Sequence, residues 1–341
     1  MFLRQNNESM RSFRSNWRFV VGIAVLALPP LTALAAIMPY HGAMHENESR
    51  VPFADPYILL HDGVYYAYGT SSPNGIATAV STDLEHWVLG RGKSKEGLAL
   101  HKDDSFGKKW FWAPEVYRRG DGKFIMYYSA DRHCCAAVAD SPLGPFKQAE
   151  KRPIFDPAQY TIDHTLFIDD DGSPWIFFVW QHGVNDIHRV RLENDWTTPM
   201  KGDEWRFVSK GEQSWECLQP CNEGPSVVKH GGRYFLFYSG NDFRETGYGV
   251  GVAVADCVQG PWRKPENNPV LQFFAGLPGV GHGAPFQDKS GQWRYVFHAH
   301  YSSDHVGPRC MYIASFDFID APPYVVFRPG VVECRVVPPR P

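Results

Sequence analysis

The chain has 341 residues, 43% of them apolar and 21% charged, a balance that excludes wholesale disorder. A formal charge of −3 excludes an electrostatic grip on nucleic acid. Aromatic residues reach 15%, beside 31 Gly and 27 Pro, which favours β structure with many turns over a helical bundle.

Residues 1–18 carry Arg4, Arg11, Arg14 and Arg18 against one acid, Glu8. An apolar run from Phe19 to Leu28 follows, then Pro29-Pro30 and Ala33-Leu34-Ala35. A basic region, a short apolar core and an A-x-A site predict a secretory signal peptide cleaved near Ala35. An uncleaved membrane anchor is the alternative, and two consecutive prolines argue against it. The expected organisation is a signal peptide over 1–35, a linker over 36–50 and one domain over 51–341. The mature protein is expected to be secreted or periplasmic, with no stable membrane association. Asn47-Glu48-Ser49 is a glycosylation sequon, which matters only in a host that glycosylates.

Five times along the rest of the chain a tight Gly turn precedes an aromatic strand. Asp62-Gly63 precedes VYYAYGT, Asp121-Gly122 KFIMYYSA, Asp171-Gly172 SPWIFFVW, Gly231-Gly232 RYFLFYSG and Ser290-Gly291 QWRYVFHAH. The second glycines are 59, 50, 60 and 59 residues apart. D-G and G-G between such runs signal hairpins, through type I′ turns that need positive φ. A further strand follows each hairpin: GIATAVS, CCAAVADS, DIHRVRLE, GVGVAVAD and CMYIASFD. A period of 50–60 residues with about four strands per unit predicts an all-β, five-bladed β-propeller. The Trp- and charge-rich segment Glu193–Cys221 is expected to be a long inter-blade loop. Asp169-Asp170-Asp171-Gly172 lacks the alternating acids of a calcium loop and is read as a hairpin turn.

Each unit opens with a polar residue seven to nine positions before its turn glycine: Asp55, Glu115, Asp163, Glu223 and His282. First strands of propeller blades line the central channel, so these residues are expected to meet in one pocket. Four carboxylates and an imidazole around one axis repel and desolvate one another, which marks an active site in that channel. Glu115 sits in a strand-entry context, A-P-E-V, and is read as structural. The seven cysteines allow disulfides after export, with Cys217 and Cys221 able to bridge locally. No C-x-x-C pair and no finger-spaced His occur, so no metal site is expected. Trp110, Phe111 and Trp112 precede the second motif, and Trp112 is the expected sugar platform.

The set ADPYIL, WAPEV, TIDHTLFIDDDG, NEGPSVV and GHGAPF resembles glycoside hydrolase family 43, over about residues 50–320 and in family order. The resemblance implies an inverting hydrolase of α-L-arabinofuranosidic or β-D-xylosidic bonds, with an oligosaccharide or polysaccharide as its partner. By it, Asp55 is the general base, Asp163 the residue that tunes and orients the acid, and Glu223 the general acid. Arg309 and His282 are implied to contact substrate. No cofactor is required, and a structural calcium near His282 is allowed. His164 departs from the family pattern, which commonly has Pro or a small residue there. Inverting hydrolysis needs one protonated carboxyl and one ionised carboxylate about 6.5–9.5 Å apart, with a water between. On this reading an ionised Asp163 keeps Glu223 protonated by repulsion, while Arg309 keeps Asp55 ionised. Two alternatives stay open: a related five-bladed glycosidase or phosphorylase of other specificity, and a non-catalytic carbohydrate-binding propeller. The absence of an N-D-P-N-G start counts against fructoside hydrolysis.

Overall fold

The computed structural model describes residues 49–217 and 220–339. The expected signal peptide, most of the linker, and Asn47 and Glu48 of the sequon lie outside them. Among the described residues no helix is long and apolar enough to cross a membrane.

Five antiparallel sheets radiate from a common axis. Their inner strands are Ala54–His61, Trp112–Arg118, Thr161–Ile168, Asn222–His230 and Gly281–Gln287. Each packs against the next, and that of blade five packs on that of blade one, which closes the ring. The second strands are the aromatic runs, Val64–Ser72, Phe124–Ala130, Pro174–Gln181, Arg233–Gly240 and Trp293–Ala299. Their near-continuous apolar sequence has a direct cause. Successive side chains point to opposite faces, and both faces are covered by neighbouring blades. Ile125 and Tyr127 enter the core between blades two and three, while Phe124, Met126 and Tyr128 enter the core between blades one and two. Ile176 and Phe178 likewise face blade two, and Phe177 and Val179 face blade four.

The hairpin turns divide into two kinds. Asp62-Gly63 and Gly231-Gly232 have positive φ at both residues, as a type I′ turn requires. In blades two, three and five only the glycine is left-handed, and its amide closes a turn onto Arg119, Asp169 or Asp288. These are type I turns completed by a left-handed glycine, so the expected I′ geometry holds in two hairpins of five.

Four strands per blade is also only partly met. In blades two and four the outer position is reduced to isolated bridges, Val138–Lys147 in the first and Val250–Leu271 and Val254–Arg263 in the second. The segments that lead there carry prolines 142, 145, 261 and 265, which cannot donate to a ladder. The segment Glu193–Cys221 is not all loop: Arg206–Ser209 forms the outer strand of blade three, and Ser214–Glu216 a 3-10 turn. That turn is anchored by Glu216, fully buried against the Lys264 ammonium at 2.8 Å. A late strand, Arg335–Val336, pairs in parallel with the outer strand of blade one, His86–Leu89, and links the end of the ring to its start.

Candidate active site

Every inner strand carries a β-bulge near its start, where two residues oppose one on the second strand. The bulged pairs are Asp55-Pro56, Ala113-Pro114, Asp163-His164, Gly224-Pro225 and His282-Gly283. The first residue of all five has positive φ, between 40° and 56°. Left-handed backbone at four non-glycine positions costs on the order of 1–3 kcal/mol each and persists only where the surroundings enforce it. Bulges re-aim side chains and are concentrated near active sites. Proline suits the second position of three of them because that residue has no ladder bond to lose.

The surroundings that enforce this conformation are a ring of latches. In four of the five blades, a side chain on the second strand accepts the bulge amide of the next blade. Thr70 Oγ1 takes the Ala113 amide at 3.0 Å, and Ser129 Oγ the Asp163 amide at 3.0 Å. Ser239 Oγ takes the His282 amide at 2.8 Å, and His298 Nδ1 the Asp55 amide at 3.1 Å. Blade three has Val179 at this position, opposite Ile162, and valine cannot accept. The Gly224 amide donates to the Asp163 carboxylate instead. A side chain at 224 is excluded too, since a Cβ there would sit 2.7 Å from His282 Cδ2.

The bulge register revises the expected equivalence of the five polar residues. Asp55, Asp163 and His282 are equivalent. Glu223 precedes its bulge by one residue, and Glu115 follows the Ala113-Pro114 bulge. Glu115 therefore lies below the others, hydrogen-bonded by the Tyr117 hydroxyl, which also contacts Thr165. Burial pushes its carboxyl up to about 7, against the hydrogen bonds from Tyr117 and Thr165. Glu115 lines the narrow cavity below the bulges and not the wide one that holds the other carboxylates. We expect Glu115→Gln to keep kcat within a few-fold of wild type and to leave the melting temperature unchanged or raised, checked by steady-state assay and calorimetry.

All six sequence-derived site residues, Asp55, Trp112, Asp163, Glu223, His282 and Arg309, line one cavity of about 460 Å³ on the propeller axis. Burial alone would raise the Asp55 carboxyl. Arg309, then His282, His298 and the Thr70 hydroxyl outweigh it and hold Asp55 well below the usual carboxylate range. Arg309 Nη1 donates to Asp55 Oδ1 at 3.0 Å, and His282 Nδ1 stands 3.4 Å from the same oxygen. Burial pushes Asp163 the other way, upward, and the charges of Glu223 and Asp55 add to it over the opposing pull of His282 and the Gly224 amide. For His282, burial works against protonation, but Asp55, Asp163 and Glu223 together raise its pKa. The site thus holds a fixed carboxylate, a carboxyl that resists ionising, the Arg309 guanidinium and an imidazole whose protonation its acidic neighbours favour. The sequence had placed the ionised partner at Asp163; the structure makes Asp163 the carboxyl that burial and repulsion drive toward its neutral form.

Several partners escaped the sequence reading. Tyr248 donates its hydroxyl to Glu223 Oε1 at 2.7 Å, and Asn185 Nδ2 donates to Oε2 at 3.2 Å. Both come from positions with no repeated motif. Phe243 lines the cavity, is exposed, and lies 4.7 Å beneath the Arg309 guanidinium. Trp112 stacks on exposed Trp110 with ring centres 5.7 Å apart, so an aromatic wall stands where a sugar platform was expected. Cys217 and Cys221 are free thiols, like the other five. Cys221 Sγ points to Glu223 Oε2 at 3.5 Å, and Cys217 Sγ to the Gln213 carbonyl.

Below His282 the axis narrows to a cavity of about 10 Å³ ringed by the five bulges. That is room for about one water, whereas calcium takes six to eight oxygens. Among the described residues, the carboxylates around His282 do not gather three donor atoms closely enough to cage a cation. The donors there suit a water better than calcium.

Residues 50–319 match the sequence model of glycosyl hydrolases family 43. The chain belongs to that family. It is thus a glycoside hydrolase acting on O-glycosyl bonds. Among solved structures, it is 42% identical to an endo-1,4-β-xylanase from Bacteroides thetaiotaomicron, with a TM-score of 0.79, over 84% of this chain and 98% of that one. A thermostable family-43 glycoside hydrolase shares 33% identity at a TM-score of 0.73, over 85% and 96%. A β-D-galactofuranosidase of Aspergillus niger is 26% identical over 74% of this chain and 75% of its own length. An extracellular exo-α-(1→5)-L-arabinofuranosidase of Streptomyces avermitilis is 26% identical over 78% of this chain, which spans 60% of that enzyme.

Proposed function

We propose that this family 43 enzyme is exported and hydrolyses α-L-arabinofuranosidic or β-D-xylosidic bonds of plant-type polysaccharides or oligosaccharides, with inversion at the anomeric carbon. The observation that carries this reading is the convergence of Asp55, Asp163 and Glu223, from three blades, in one cavity with opposed electrostatic settings. Asp55, kept ionised by Arg309 and His282, takes a proton from water as the water oxygen attacks the anomeric carbon. Glu223 gives its proton to the leaving glycosidic oxygen. The bond from that oxygen to the anomeric carbon breaks, and solvent restores both carboxyl states. Asp163 acts on Glu223 rather than on the sugar: the charge of Glu223 raises Asp163, so two negative charges side by side are disfavoured in the site. Trp112 and Phe243 offer apolar ring faces to the sugar. Export rests on the predicted leader and on the extracellular naming of several relatives.

The test is hydrolysis of aryl arabinofuranosides, aryl xylosides and the matching oligosaccharides, with the first anomer formed followed by NMR. Inverted product is expected. A retained anomer would exclude the water mechanism, and binding without turnover on every substrate class would favour a non-catalytic role.

A further inference from the structure

On blade three, the turn after the second strand contributes His182, and the third strand, Asn185–Arg191, contributes Asp186 and His188. One donor atom from each lies within 4.8 Å of the others. Asp186 and His188 are two residues apart on a strand and so share a face. The turn brings His182 over the same face, with its Nε2 at 3.2 Å from Asp186 Oδ2.

His188 is only 8% exposed, and both of its ring nitrogens are buried without a hydrogen-bond partner. Aromatic rings surround it: Trp180 and Phe207 edge-on, Phe178 stacked. Packing alone gives no reason for an imidazole here, since any apolar ring would avoid two orphaned polar atoms.

We propose that His182, Asp186 and His188 bind one divalent transition-metal ion of the Zn²⁺ class, on the flank of blade three beside the cavity mouth. Two imidazoles and one carboxylate suit zinc and its neighbours rather than calcium or magnesium. Tetrahedral zinc with ligand bonds of about 2.0–2.2 Å holds its donors about 3.3 Å apart. The His182–Asp186 spacing already matches that, and a small movement of the His188 ring completes the set. His182 is exposed, which gives the ion an entry path and a water in the fourth position. The sequence reading, which looked for paired cysteines, passed over this H-x3-D-x-H spacing. The segment between His182 and Asp186 supplies Gly183, Val184 and Asn185 to the cavity wall, so a bound ion would pin that wall. The proposal does not depend on the hydrolase assignment, and its test needs no turnover.

The experiment is calorimetric titration of the intact, chelator-treated protein with Zn²⁺ alone, repeated with His182→Gln and His188→Gln. Co²⁺ serves as the optical probe. One ion per chain with micromolar or tighter affinity is expected, with affinity falling at least about tenfold in each variant. The Co²⁺ complex should lack the near-ultraviolet charge-transfer band of a thiolate ligand. His182→Gln alters an exposed side chain and keeps the test decisive even where His188→Gln impairs folding. No binding by the wild type would overturn the proposal. So would undiminished binding in His182→Gln, or a thiolate band showing that the free cysteines hold the metal.

Discussion

Glu223→Gln is expected to lower kcat on a natural oligosaccharide by about 10³-fold, and to cost far less on an aryl glycoside with an acidic phenol as leaving group. The reasoning is chemical. A general acid matters in proportion to how badly the leaving oxygen needs a proton, and a phenolate needs little help. Asp55→Asn should lose about as much on both substrates, because activation of water does not depend on what departs. The pair of substrates separates the two roles, which a single assay cannot do. The effects on folding differ in size and are measurable by calorimetry. Glutamine at 223 can still accept from the Tyr248 hydroxyl, which limits the damage. Asparagine at 55 leaves the Arg309 guanidinium and the His282 imidazole facing each other without their anion, so a lower melting temperature is expected. Turnover of either variant on the oligosaccharide within a few-fold of wild type would reassign its role. Equal losses for Glu223→Gln on both leaving groups would move the acid elsewhere.

The reach of the sequence can be judged from particular residues. The five aromatic runs announced the second strands because each is buried on both faces, a demand that leaves a continuous apolar signature. The glycines after Asp62, Asp121 and Asp171 marked the turns, although the turn type depended on a φ angle that no dipeptide reveals. Asp55, Asp163 and Glu223 were legible because carboxylates recur at nearly the same distance from each turn. That distance blurred the register by one or two residues, and Glu115 entered the set through the blur. The bulges were invisible as such, though Asp-Pro, Ala-Pro and Gly-Pro at strand starts are their trace. Tyr248, Asn185 and Phe243 left no trace, because Asn185 and Phe243 reach the cavity, and Tyr248 reaches Glu223, from positions that carry no repeated residue type. The latch ring was equally hidden: Thr70, Ser129, Ser239 and His298 differ in type and share only a place in the fold. So was the upward push on Asp163, which burial and the charges of Glu223 and Asp55 set against the pull of His282 and the Gly224 amide.

Asp163→Asn is expected to raise stability and lower activity together, by about 5 °C in melting temperature near neutral pH and about 10²-fold in kcat. The sign follows from linkage. Asp163 is raised in the folded protein, above its ordinary value of 3.8, by burial and by Glu223 and Asp55. As pH climbs through that interval, the unfolded chain has released the proton that the folded chain still holds. Stability therefore falls as pH rises, until the folded carboxyl also ionises. An amide has no proton to lose, so the variant escapes this cost, on the order of 2 kcal/mol. Its advantage over wild type should vanish near pH 4 and grow toward neutrality, and thermal melts across that range measure it. The amide oxygen can still accept from the Gly224 amide, so the bulge keeps its support. What is lost is the second carboxyl that keeps a proton in the site, so the alkaline limb of kcat/KM should move to lower pH. A side chain serving only as scaffold would show the reverse, with lost stability at every pH and an unmoved limb, and that result would remove Asp163 from the catalytic machinery.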